Sequence, residues 1–200
     1  MSATPNWQQR KHWVFDMDGT LTVAVHDFTH MRNALGAPEG VDLISFINSL
    51  PKAEAQRRLE SLKDYEEHLA RNAQIGHGVA ALLNALKARG ATLGVLTRNR
   101  QDLAYLTLET IGISHFFAKE DVLGRDVASP KPSPDGLKLL ADTWRVKTSE
   151  IVMVGDYHYD IDCARAAGAT GVLLYKGQNP WPGRCDIHLP DAHALLNALT

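Results

Sequence analysis

Cysteine is nearly absent: Cys163 and Cys185 are the only two in 200 residues. Two thiols cannot build a disulfide framework, and such sparing use points to a reducing compartment. No apolar run reaches the roughly 20 residues needed to span a bilayer. Residues 1–13 hold no apolar stretch of the kind that marks a secretory leader. The expectation is a cytoplasmic protein with no membrane partner. An excess of one charge is missing too, with 21 Lys+Arg against 23 Asp+Glu. That balance argues against a nucleic-acid binder held by a basic field. There is no internal repeat and no low-complexity tract. What is present is 44% hydrophobic and 22% charged, enough for one domain or a core with a small insert.

His12–Phe15 reads as a buried strand that stops at Asp16-Met17-Asp18-Gly19. From about Leu21 to His77 the texture is helical. Leu43, Ile44, Phe46, Ile47 and Leu50 fit a short amphipathic helix closed by Pro51. Leu59, Leu62, Tyr65, Leu69 and Ala73 recur at helical steps, one apolar stripe on a helix of about twenty residues. After Gly78, strands are predicted at 91–96, 116–118, 151–154 and 171–175, with a weak one at 186–189. They alternate with helices at 79–89, 101–111, 137–144, 161–167 and 192–199. Strands that are apolar on both faces and alternate with helices imply a parallel sheet covered on both sides. The reading is an α/β, doubly wound, Rossmann-like core formed by 1–21 and 78–200. Residues 22–77 are expected as a small α-helical cap inserted after the first strand.

In an open α/β sheet, ligands bind beyond the carboxyl ends of the strands. There the sequence offers Asp16 and Asp18, then Thr97-Arg98-Asn99, then Gly155-Asp156, with Lys131 in the proline-rich loop 128–134. Carboxylates crowd together only around a counter-ion, and an all-oxygen acidic site suits Mg²⁺. This set fits phosphoryl transfer, with a carboxylate as nucleophile. Bringing a carboxylate to ~3.5 Å from a phosphate dianion costs on the order of 9 kcal/mol at an effective dielectric near 20. A metal ion and a lysine offset that repulsion. Asp16 and Asp18 are two apart and face the same way on an extended chain. One can attack while the other protonates the leaving oxygen and then activates water.

Phe15-Asp16-Met17-Asp18-Gly19-Thr20-Leu21 resembles the first motif of the haloacid dehalogenase-like (HAD) hydrolase superfamily. Leu96-Thr97-Arg98-Asn99, Lys131 within Lys-Pro-Ser-Pro-Asp, and Val154-Gly155-Asp156-Tyr157-His158-Tyr159-Asp160 follow in the family's order. The trailing Ala164-Arg165-Ala166-Ala167-Gly168 is also typical, so the resemblance spans nearly all of 13–175. It points to subclass I with a helical C1 cap, the branch of phosphoglycolate phosphatase and β-phosphoglucomutase. The resemblance implies Asp16 as nucleophile and metal ligand, and Asp18 as general acid/base with its backbone carbonyl on the metal. It implies Thr97 and Lys131 at the phosphate, joined there by Arg98, and Asp156 as the remaining metal ligand. Asp160 is implied to orient the metal site or Lys131. A Mg²⁺-dependent phosphatase acting on a small phosphorylated metabolite follows, as a monomer or homodimer. The alternatives are a phosphomutase of the same family or a non-enzymatic phospho-Asp signalling protein. A 2-haloacid dehalogenase fits less well, because halide departs without the proton that Asp18 would give.

Several residues have two readings. Arg98 and Asn99 contact substrate or simply begin a helix. His26 and His30 have the spacing of a metal pair on a helix but lack a third ligand, and His26 is placed beside the cap hinge. His158 lies near the site or on the surface. Arg32, Arg57, Arg58 and Arg71 are grips for a substrate anion or solvated charges. Cys163 is expected to pack beneath the helix that follows the fourth motif.

Overall fold

The computed structural model describes residues 6–24, 32–38, 41 and 43–199; the His26 and His30 assignments lie outside the described residues. Six parallel strands are β1 (His12–Phe15), β2 (Thr92–Leu96), β3 (Val122–Leu123), β4 (Ile151–Gly155), β5 (Thr170–Leu174) and β6 (Ile187–Leu189). They form one sheet in the order β3-β2-β1-β4-β5-β6. β1 pairs with β2 on one side and β4 on the other. This placement explains its apolar Trp13-Val14-Phe15 run, since a central parallel strand is covered on both faces.

Alternation along each strand divides the core. Trp13, Phe15, Leu93, Val95, Val152 and Val154 face one side. There they meet α3 (Val79–Ala88), α4 (Gln101–Thr110) and α7 (Ala192–Leu199) through Leu82, Leu83, Leu86, Leu108 and Leu195. Val14, Leu96, Ile151 and Met153 face the opposite side. These pack on α5 (Asp135–Trp144) and α6 (His158–Ala167) through Leu137, Leu140, Cys163 and Ala164. The two-residue period of a strand sends successive side chains to opposite helix layers.

Between β1 and β2 lie α1 (Leu43–Asn48) and α2 (Lys52–Arg71). They enclose a separate cluster of Leu35, Ile47 and Leu62, with Phe46 and Tyr65 beside it. The chain leaves and re-enters the sheet through paired backbone. Val23 N–H donates to Gln74 O and Gly76 N–H to Leu21 O, both at 2.9 Å.

Two expectations are corrected. The segment 116–118 is not a strand: Ser114–Phe116 is a 3₁₀ turn, and the edge strand is β3, at Val122–Leu123. Phe116 and Phe117 are apolar because they pack into the core from outside the sheet. The α2 stripe is also narrower than its spacing suggests. Leu59 is 39% exposed, Ala73 lies past the helix end, and the buried residues are Leu62 and Ala70.

Candidate active site

The polar residues that end the apolar strands meet at one edge of the sheet. Asp16 follows β1 and stays in the ladder, its N–H bonded to Val154 O at 2.9 Å. Thr97 follows β2, with its N–H on Leu123 O at 3.0 Å. Asp156 follows β4, and Lys131 arrives from the loop before α5. The Lys131 side chain is 2% exposed, with Nζ 2.5 Å from Asp16 Oδ1 and 2.6 Å from Asp160 Oδ1. Asp160 sits in the first turn of α6, where its other oxygen accepts the Tyr157 N–H at 3.1 Å. One carboxylate thus caps a helix N-terminus and fixes a lysine. Gly155 makes this approach possible: a Cβ there would stand 2.2 Å from Asp160 Cγ.

Asp18 turns to a different partner. Its Oδ2 accepts the side-chain amide of Asn99 at 2.7 Å. Asn99 is itself set by its backbone N–H, which donates to Thr97 Oγ1 at 3.1 Å. Arg98 lies alongside, donating to Lys131 O at 2.8 Å, with its guanidinium 4.5 Å from the Tyr159 ring centroid. The predicted residues therefore converge. Among them, Arg98 supports the backbone of the Lys131 loop.

Asp16, Asp156 and Asp160 bring carboxylate oxygens within 4.8 Å of one another. Burial, then the charges of Asp16 and Asp160, push the Asp156 carboxyl up to about 8. Burial also raises Asp160, against the pull of Lys131. Burial opposes the Lys131 ammonium, but the carboxylates of Asp16 and Asp160 outweigh it and hold its pKa above the ordinary lysine range. One ammonium among three carboxylates leaves net negative charge in a site of low dielectric. The donor set is hard oxygen, as a divalent cation such as Mg²⁺ or Ca²⁺ requires. Gly19 (φ +80°) lets the Asp156 carboxylate come close to the turn after β1, since a Cβ there would lie 2.2 Å from Asp156 Oδ2. These residues fit a divalent cation. Asp160 supplies the third carboxylate of the cluster, although its two oxygens already serve Lys131 and the Tyr157 N–H.

Other candidates fall outside this cluster. Arg58 pairs with Glu54 at 2.6 Å and Arg71 with Glu67 at 2.7 Å, while Arg32 donates to Pro38 O. His158 Nδ1 lies 3.3 Å from Asp162, and its ring packs beside Trp181. Cys163 is fully buried against Ser133 O, and burial pushes its thiol up to about 12, which keeps it unreactive.

Arg125 and Glu66 escape a reading of the sequence. Arg125 stands two residues beyond β3, so the rule of reading strand ends finds it only if that strand is placed correctly. Its guanidinium forks onto Glu66 of α2, with NH1 to Oε1 at 2.9 Å and NH2 to Oε2 at 3.0 Å. Beside this pair, Asp18, Thr22, Asn99 and Thr107 face Glu66, Leu69, Ala70 and Ala73 across a cleft of about 10 Å³. That volume admits about one water.

Residues 13–174 match the family model described as haloacid dehalogenase-like hydrolase. A haloacid dehalogenase-like hydrolase domain-containing protein of Arabidopsis thaliana is 36% identical, over 80% of this chain and 69% of the relative. The phosphoglycolate phosphatase of Escherichia coli K12 is 32% identical, over 88% of this chain and 67% of its own length. A crystal structure from Haemophilus somnus, described as a predicted phosphoglycolate phosphatase, superposes with a TM-score of 0.77 at 23% identity. That match covers 96% of this chain and 99% of the other. Sheet order, strand-end residues and family match agree, and the chain belongs to the haloacid dehalogenase-like hydrolase family.

Proposed function

We propose that this protein is a Mg²⁺-dependent phosphatase that hydrolyses a small phosphate monoester through an aspartyl phosphate on Asp16. The observation that carries this reading is the buried Lys131 ammonium, held 2.5 Å from Asp16 Oδ1 inside a cluster of carboxylates. Mg²⁺ would be held by the carboxylates of Asp16 and Asp156 and the backbone carbonyl of Asp18, and would neutralise charge on the transferring phosphoryl group. Lys131 draws off further negative charge, so the Asp16 oxygen can approach phosphorus. Thr97 and the backbone amides that lead into α4 add donors at a helix N-terminus. Arg98 braces the Lys131 loop on the phosphate side.

Asp16 attacks phosphorus as the ester bond breaks, and Asp18 gives its proton to the departing alkoxide. Asp18, then a carboxylate, takes a proton from water. The resulting attack on the aspartyl phosphate releases phosphate and restores Asp16. Asn99 aims Asp18 throughout by its hydrogen bond to Oδ2. Asp160 keeps Lys131 in place. Residues 22–77 act as the cap over a core formed by 1–21 and 78–200, excluding water from the closed site. The similarity to phosphoglycolate phosphatases supports a small phosphorylated metabolite as substrate. No helix among the described residues is long and apolar enough to cross a membrane. The sparing use of cysteine supports a place in the reducing cytoplasm.

Purified protein with Mg²⁺ is expected to release inorganic phosphate from members of a panel of small phosphate esters and aryl phosphates. Absence of release from every member overturns the reading, and an isomerised ester in place of free phosphate marks a mutase. Metal binding has its own readout in thermal unfolding. At a hundredfold excess over Kd, Mg²⁺ adds about 2.7 kcal/mol, or roughly 5–10 °C in Tm for a chain of this size. Asp156→Asn is expected to abolish that rise without lowering the Tm of the metal-free protein, because it removes one of three crowded carboxylates. A full Mg²⁺ response in Asp156→Asn would remove this residue from the metal site.

A further inference from the structure

The Asp18 carboxylate is oriented by a chain of contacts that begins on α2. Asn99 holds Asp18 Oδ2 at 2.7 Å. The Asn99 carbonyl accepts the Arg125 backbone N–H at 2.8 Å, and the Arg98 carbonyl accepts Arg125 NH1 at 3.0 Å. Asp126 Oδ1 accepts the Gln101 N–H at 2.8 Å, so the 124–126 loop also caps α4. The turn that carries Thr97 and Asn99 thus rests on Arg125. Arg125, in turn, is forked onto Glu66 by two hydrogen bonds, with the side chains 20% and 11% exposed. Charge-assisted forks of this kind fix direction as well as distance, and partial burial shields them from the screening that weakens surface pairs.

Glu66 also lines the cleft that holds Asp18, so α2 covers that side of the site when the fork is made. We propose that Glu66 and Arg125 are positioning residues that report closure of the α2 segment to the acid/base group: the fork forms only when α2 is seated, and it then sets Asn99 and through it Asp18. Neither residue belongs to the cluster of carboxylates around Lys131. The inference rests on the phosphatase reading and on the role of Asp18 as proton donor.

Leaving-group chemistry tests it. Nitrophenolate departs without a proton, whereas an ethoxide leaving group needs one, so only the second depends on Asp18 at the bond-breaking step. We expect the full-length Glu66→Gln and Arg125→Lys variants to retain Tm within a few degrees. Their ratio of kcat/KM for ethyl phosphate to that for p-nitrophenyl phosphate is expected to fall about tenfold. A series of aryl phosphates of rising leaving-group basicity should show the same steepening. The double variant should lose no more than either single one, since both break one contact. A merely structural pair lowers both substrates equally. An unchanged ratio, or losses that add in the double variant, overturns the proposal. Failure of the wild type on every ester removes the phosphatase reading and the proposal with it, a result distinct from a wild type that turns over and variants that do not discriminate.

Discussion

Asp16→Asn is expected to lower turnover by about 10⁴-fold or more while the protein keeps its fold and a Tm within a few degrees of wild type. The substitution preserves shape and removes the nucleophilic oxygen, so the loss belongs to the bond-forming step. Asp16 is 8% exposed, but it lies beyond the apolar layers and fills no hydrophobic position. Its backbone N–H stays bonded to Val154 O, and Lys131 retains Asp160 at 2.6 Å. Phosphate release, circular dichroism and thermal unfolding on the same sample separate the two effects. The aspartyl phosphate detectable by rapid acid quench in the wild type should disappear. Activity near the wild-type level would exclude covalent catalysis by Asp16.

Lys131→Met is expected to damage stability and activity together. The ammonium is buried and bridges two carboxylates at 2.5 and 2.6 Å. Its removal leaves Asp16, Asp156 and Asp160 without the cation between them. Breaking one side of a buried ion pair costs roughly 3–5 kcal/mol, which for a chain of this size is about 6–20 °C in Tm. The double substitution Lys131→Met with Asp160→Asn should recover much of the lost stability, because it removes the charge that was stranded. It should not recover activity, because no cation then faces the attacking carboxylate. Thermal unfolding in metal-free buffer and phosphate release under Mg²⁺ give both readouts. Equal Tm for wild type and Lys131→Met would mean that the carboxylates find another counter-charge in the fold.

The contrast between Lys131 and Arg125 shows what local sequence can convey. Lys131 lies in a short, ordered motif, and its place beside the acidic strand ends is legible from residue order. Arg125 has no motif, and its partner Glu66 lies 59 residues earlier on a helix whose other charges are solvated or paired within one turn. Nothing in the sequence separates Glu66 from Glu54 or Glu67. β3 is similarly hidden. Two residues are too few to show alternation, while Phe116 and Phe117 imitate a strand by being apolar for a different reason.

By itself, the sequence determined the alternation of strands and helices, the burial of the central strands and the acidic residues at their carboxyl ends. These follow from local regularities, since burial on both faces demands an apolar run and the turn after it is free to be polar. Tertiary structure fixed the Lys131 contacts to Asp16, 115 positions away, and to Asp160, which the motifs implied only in outline, and it alone decided that Asn99 takes Asp18 and that α2 reaches Arg125. Such pairings depend on strand order and on the path of each side chain in three dimensions, and a pattern of periods along the chain carries neither.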